Sequence, residues 1–295
     1  MKVNVEKIDK LKRKIIIEVS GEEFLKEKRE VYKESSKNLK TPGFRPGSAP
    51  LDILEKHHGS FLKEELLKKI LPLFYRKALE DNNILPAGLP QLHDVDVNTD
   101  TLTFAASFEV KPEIEIKENM YKGIKIKDKK VKVEEVEIEK VLTNLKEQLK
   151  KTIGKDFADE ELAKWASYSD IASFREAIKT QLLVEKLRSR RQDIDGQLRE
   201  KLLKTFKIDL PNSEVERYYK ELFEREIYNL RVKGVSQEDI DKNKTVLEER
   251  LKPMASDEVK LFYILESIAQ KESIKADDNL GDVILGFILS QAEYL

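Results

Sequence analysis

The chain has 295 residues, enough for two or more domains, and its 55 basic and 56 acidic side chains nearly cancel. That balance argues against a dedicated nucleic-acid binder, and the absence of cysteine excludes a disulfide framework or a thiolate metal site. Charged residues at 38%, hydrophobic residues at 40% and a negative mean hydropathy suit an extended helical protein with much surface and modest cores. Met1-Lys2-Val3-Asn4-Val5-Glu6 has no apolar signal core, and no long uncharged span could cross a membrane, so a soluble cytoplasmic protein is expected.

From Met1 to about Val110 the pattern reads α+β. Leu11 to Ser20 holds the β-branched run Ile15-Ile16-Ile17-Glu18-Val19, which predicts a strand. After Gly21, the residues Phe24, Leu25, Lys28, Val31 and Tyr32 repeat at helical spacing. Thr41-Pro42-Gly43-Phe44-Arg45-Pro46-Gly47-Ser48-Ala49-Pro50 then breaks the periodicity. Its three prolines and two glycines exclude a regular helix or central strand, so it is a shaped loop. Leu51, Leu54, Phe61, Leu62, Glu65, Leu66, Ile70 and Phe74 mark one or two further helices, with a kink or restart expected at Pro72. Strands return at Gln91–Val97 and Leu102–Val110. The loop therefore tips a helical hairpin and carries an aromatic ring, Phe44, beside a guanidinium, Arg45. A large aromatic on a loop tip gains little unless something else covers it, which makes the loop a docking finger. The plain alternative is that Phe44 packs back on its own helices.

Gly43-Phe44-Arg45-Pro46-Gly47-Ser48-Ala49-Pro50 resembles the glycine-phenylalanine-arginine, any, glycine-lysine, any, proline signature of trigger factor, the bacterial ribosome-associated chaperone. Gly43, Phe44, Arg45, Gly47 and Pro50 match it, while Ser48 stands where the family usually has lysine. Strand, helix, loop, helix and strands follow the order of the family's N-terminal domain. The resemblance implies that Gly43, Phe44, Arg45, Pro46, Gly47 and Ser48 dock beside the exit of the ribosomal tunnel. Serine for lysine removes one favourable contact to ribosomal RNA or an acidic protein surface.

Lys111-Pro112-Glu113 opens a connector in which Ile114, Ile116, Ile124, Ile126, Val131 and Val133 alternate with charges, predicting extended chain. Beyond Glu134 nearly everything is helical. Val136, Val141, Leu142, Leu145 and Leu149 form one amphipathic helix. Phe174, Ile178, Leu182, Leu187, Ile194, Leu198, Leu202 and Phe206 sustain a second of roughly 50 Å. Ile208-Asp209-Leu210-Pro211 stops it, and Asn212 or Ser213 can cap the next helix. Val215, Tyr218, Tyr219, Leu222, Phe223, Ile227 and Leu230 line that helix, Gly234 ends it and Ser236 restarts. Pro253 and Ser256 punctuate before Val259, Phe262, Tyr263, Leu265 and Ile268, and Asp277-Asp278 favours a last helix N-terminus.

The Ile208–Pro211 break and the run into Ile274-Lys275-Ala276-Asp277 are also similar to trigger factor, whose C-terminal helices form a body with two arms. The expected fold is an α+β ribosome-binding domain at 1–112, an extended connector at 113–133 and an all-α substrate-binding domain with arms at 134–295. Full-length members carry a peptidyl-prolyl isomerase domain of FKBP type after the connector helix. Fewer than twenty residues separate the two long helices here, against the order of a hundred such a barrel needs. The expectation is a non-enzymatic, cofactor-free chaperone that holds unfolded or nascent polypeptides and docks on the ribosome.

A cradle for unfolded chains needs scattered apolar patches that act together through effective concentration. Met254, Phe262, Tyr263, Phe287, Ile288 and Leu289, with Tyr218, Tyr219 and Phe223 behind them, are the client-contacting candidates. Residues at this spacing also build ordinary cores. No glycine-rich phosphate loop is present, and no helical His-x-x-x-His pair accompanies His57, His58 and His93, so neither nucleotide nor metal is expected. Arg188-Ser189-Arg190-Arg191 reads as a solvated face, and Trp165 as the anchor of the shortened link. Two other readings stay open: a scaffold or assembly factor holding folded partners, and a residual prolyl isomerase. Loosely apolar cradles tend to be covered, so a homodimer of the free protein is a further expectation.

Overall fold

The computed structural model describes residues 1–45, 48–275 and 279–295, and of Asn38 the backbone alone. Strand β1 (Lys2–Lys7) pairs antiparallel with β2 (Lys12–Ser20), whose Ile15, Ile17 and Val19 point inward by simple alternation. A chain of 14 helical residues, α1 (Glu22–Ser35), runs through a 3-10 turn at Ser36–Asn38 into the loop, and α2 (Leu51–Asp81) leaves it. Strands β3 (Gln91–Val97) and β4 (Thr101–Glu109) complete a sheet of order β1-β2-β4-β3, with Ile17 opposite Phe104 and Val19 opposite Leu102. The sequence reading missed β1, because only Val3 and Val5 alternate within a charged edge segment. At the other edge, a register shift between His93 and Asp96 with Asp94 at φ +52° is the kind of bulge that blunts an exposed strand.

Both helices lie on one face of this sheet. Phe24, Val31 and Tyr32 from α1 and Leu62, Leu66, Ile70 and Phe74 from α2 meet Ile15, Ile17, Leu102, Phe104 and Phe108 in one core. Helix α2 does not break at Pro72. Burial of Ile70, Leu71 and Phe74 around the proline holds the helix through it, against a cost of about 3 kcal/mol for proline in a helix interior. The departure from helical geometry is at His58 (φ −133°, ψ 21°), next to Gly59.

Short strand β5 (Lys125–Ile126) precedes α3 (Glu135–Ile153), whose Glu134 N–H donates to the Glu137 carboxylate at 2.9 Å and whose C-terminus ends on Gly154 at φ +76°. Helix α4 (Asp159–Trp165) lies between α3 and α5 (Ile171–Thr205), which opens with the Asp170 carboxylate accepting the Ser173 N–H at 2.7 Å. Ile138, Leu142, Leu162, Ala163, Phe174 and Ile178 pack these three helices together. Leu162 and Ala163 anchor the link; Trp165 meets Phe157 edge-on at 6.5 Å but stays half exposed. With 35 residues, α5 spans about 50 Å.

Helices α6 (Asn212–Val232), α7 (Gln237–Lys242), α8 (Lys244–Lys271) and α9 (Leu280–Ser290) follow, and strand β6 (Glu293–Tyr294) pairs in parallel with β5. Neither Asn212 nor Ser213 caps α6 with its own side chain. Instead, the Glu109 carboxylate at the end of β4 accepts the Ser213 N–H at 2.8 Å and its hydroxyl at 2.6 Å. Gly88 permits this approach, since a Cβ there would lie 2.9 Å from Ser213 Oγ. Pro253 does not punctuate α8, which stays helical while Leu251, Ala255 and Val259 are buried on either side of it. Asp277-Asp278, expected at the last helix start, lies outside the described residues.

The chain condenses into two units that are not consecutive in sequence: Met1–Ile114 with Ile208–Lys260, and Glu115–Lys207 with Leu261–Leu295. The helical segment 134–295 thus contributes to both. Among the described residues, no helix is long and apolar enough to cross a membrane.

Candidate functional site

The loop between α1 and α2 is shaped by its own hydrogen bonds. Thr41-Pro42-Gly43-Phe44 carries the marks of a type II turn: proline second, glycine third at φ +79°, and the Phe44 N–H donating to the Thr41 carbonyl at 3.1 Å. Arg45-Pro46-Gly47-Ser48 repeats the x-Pro-Gly-x pattern, and the Ser48 N–H donates to the Arg45 carbonyl at 3.0 Å. Of the sequence-predicted docking set, Pro46 and Gly47 lie outside the described residues. At the base, buried Thr41 and partly buried Leu39 and Ala49 tie the loop to the sheet-and-helix core. Phe44 is 41% exposed and Arg45 is exposed, so the ring does not sink into its own helices. The hydroxyl of Ser48, the residue in place of the family's lysine, donates to the Arg45 carbonyl at 2.6 Å.

The helical candidates divide by burial. In the first unit, Tyr218, Tyr219 and Phe223 on α6 are half-buried, with Tyr219 and Phe223 at 5.8 Å and Lys252 Nζ 5.7 Å from the Tyr219 ring centre, while Met254 on α8 is exposed. In the second unit, Phe262 is 53% exposed and Phe287 and Leu289 are half-buried. Tyr263 and Ile288 are buried, at 4% and 0% exposure, and serve as packing. Periodicity put them on an apolar face, and the fold turned that face inward.

The sequence reading missed an apolar groove of about 860 Å³ in the first unit. Leu71, Tyr75 and Leu79 of α2 form one wall; Leu85, Leu89 and Leu92 form the other, with Leu89 93% exposed. Burial pushes the Tyr75 hydroxyl up to about 12. The run Ile84-Leu85-Pro86-Ala87-Gly88-Leu89-Pro90, apolar and proline-stiffened, was the available signal. The basic knot also differs from its reading. Arg190 forms a bidentate pair with Asp128, both contacts at 2.5 Å, and its guanidinium holds that carboxyl below the usual carboxylate range. Among the described residues no three histidine, aspartate or glutamate side chains gather as a metal site.

Two family models match: bacterial trigger factor protein over residues 1–145, and bacterial trigger factor protein C-terminus over residues 170–280. Trigger factor of Natranaerobius thermophilus is 37% identical over 146 residues, 48% of this chain and 32% of that protein. Trigger factor of Nitrosococcus oceani is 32% identical over 149 residues, 50% of this chain and 33% of that protein. Trigger factor of Clostridium botulinum is 34% identical over the same length, 50% of this chain and 34% of that protein. The chain thus spans about a third of the length of these relatives. A solved structure of a trigger factor chaperone, from work on promiscuous substrate recognition in folding and assembly activities, shares the fold with a TM-score of 0.54 at 16% identity, covering 94% of this chain and 87% of that one. With both terminal family models matched in order, and the loop motif at residues 43–50, the chain belongs to the trigger factor family.

Proposed function

We propose that the chain is a nucleotide-independent chaperone that holds unfolded or nascent polypeptides and docks on the ribosome through the loop at residues 43–48. Residues 1–112 dock, 113–133 connect, and 134–295 supply the holding surfaces. The observation that carries this reading is Phe44, exposed beside Arg45 on a loop in which Phe44 is hydrogen-bonded to Thr41 and Ser48 to Arg45. A ring held outward pays its exposure cost in the free protein and recovers it when a partner covers it. Met254, Phe262, Tyr218, Tyr219, Phe223, Phe287 and Leu289 are the client-contacting side chains, and the groove around Leu85 and Leu89 adds a further apolar surface. The link from Gly154 to Asp170 holds only the seven residues of α4 as helix, which supports a chaperone without isomerase activity. The cytoplasm is the compartment this role requires, with self-association covering the apolar surfaces of the free protein. Suppression of aggregation of a chemically denatured model protein, without nucleotide, tests the holding activity; aggregation at the rate of the buffer control would contradict it. The assembly activities ascribed to the solved relative favour a second reading, retention of folded partners. Preferential capture of a native subunit over its unfolded form would select it.

A further inference from the structure

The second unit carries a concentration of positive charge that the near-neutral chain as a whole does not predict. The connector segment Lys127–Lys132 crosses α5 and with it encloses a hollow of about 460 Å³. Lys127, Lys129, Lys130 and Lys132 are exposed on its rim, and their ammonium groups make no ion pair among the described residues. The other two cations of the hollow are already occupied. Arg190 is held by Asp128, and Lys186 donates to Glu137 at 2.6 Å and to the Lys132 carbonyl at 2.7 Å. Asp193 is the one acidic lining residue outside these pairs.

The hollow continues, through Asp128, Arg190 and Ile194, into a recess where Leu187, Leu289 and Tyr294 lie beside Arg191 and Asp195. Leu187 and Tyr294 are exposed there. The main-chain N–H and C=O groups of Lys129, Lys130 and Val131 form no hydrogen bond among the described residues, in a segment that is neither helix nor strand. Four ammonium groups outside any ion pair, beside apolar side chains and an unpaired main chain, match an extended polypeptide segment that carries carboxylates next to large apolar residues. Nucleic acid fits less well. The recess offers a single aromatic ring, Tyr294, where single strands use successive stacking platforms, and its leucines have no role against phosphates.

We infer that Lys127, Lys129, Lys130 and Lys132 give this chaperone a preference for acidic, apolar client segments, bound along the connector and α5. The inference rests on the chaperone reading and names its client class. The test uses the full chain and three fluorescent peptides that share a leucine- and phenylalanine-rich centre and carry glutamate, glutamine or lysine flanks. Fluorescence anisotropy at low salt should give the glutamate peptide about ten-fold tighter binding than the lysine peptide, four weak exposed pairs acting together, with the difference shrinking at high salt. Replacing all four lysines by glutamine should erase the difference while leaving the glutamine-flanked peptide bound as before. Equal affinity of the three peptides for the unsubstituted chain would overturn the preference and leave the chaperone reading standing. Failure of all three to bind would overturn both. Tighter binding of a short RNA than of the glutamate peptide, lost in the lysine variant, would reassign the surface to phosphate and overturn the inference.

Discussion

The Glu109 carboxylate accepts both the backbone N–H and the hydroxyl of Ser213, fastening the start of α6 to the end of β4 across 104 residues of sequence. A negative charge at a helix N-terminus also meets the positive end of the helix dipole. Ser213→Ala should cost about 1 kcal/mol, and Glu109→Ala more, because it strips both bonds and leaves the Ser213 N–H without its acceptor. Urea unfolding of the two variants checks the order.

Helix α2 buries Leu54, Leu62, Leu66, Ile70 and Phe74 at intervals of four or eight residues, and His58 falls on the same stripe. Its Nε2 is buried and has no hydrogen-bond partner. His58→Leu should therefore raise stability by about 1 kcal/mol, removing an unpaired polar atom and extending the apolar face. An unchanged or lowered unfolding midpoint would show that the kink needs the imidazole.

Gly196 sits inside α5, exposed, and a Cβ there would meet nothing within 4 Å. Gly196→Ala should stabilise the helix by about 0.5–1 kcal/mol, chiefly by narrowing the unfolded ensemble. Thermal unfolding followed by circular dichroism reads this directly.

These particulars mark how far the sequence could be read. Ile15, Ile17 and Val19, and Leu102, Phe104, Ala106 and Phe108, alternate strictly, so β2 and β4 were legible with their inward faces. So was the long helix α5, because its stripe persists over many turns. Pro72 and Pro253 misled because local propensity predicts breaks where packing on both sides keeps the helix intact. Glu109 as the partner of Ser213 could not be read, since no periodic signal links residues so distant. Phe44 was legible as a loop tip from its prolines and glycines; the burial of Tyr263 and Ile288 was not, because helical spacing does not say which face finds a neighbour.

Asp128 supplies a pH test. Its carboxyl lies below the ordinary value of 3.8 because it accepts hydrogen bonds from Arg190. A lowered folded value means that the stabilisation is present above the unfolded value and is lost as pH falls through the folded one. Asp128→Asn should thus be less stable than the parent chain at pH 7, and the two should converge in strong acid. A difference that persists unchanged into strong acid would mean that the pair acts through packing alone.

Cosedimentation with ribosomes, comparing the parent chain with the Phe44→Ala, Arg45→Ala double variant, bears most directly on the docking role. Phe44 and Arg45 are exposed, so their removal should leave the fold and aggregation suppression intact while cosedimentation falls to background. Cosedimentation of the variant at the parental level would contradict the assignment of the loop as the docking element.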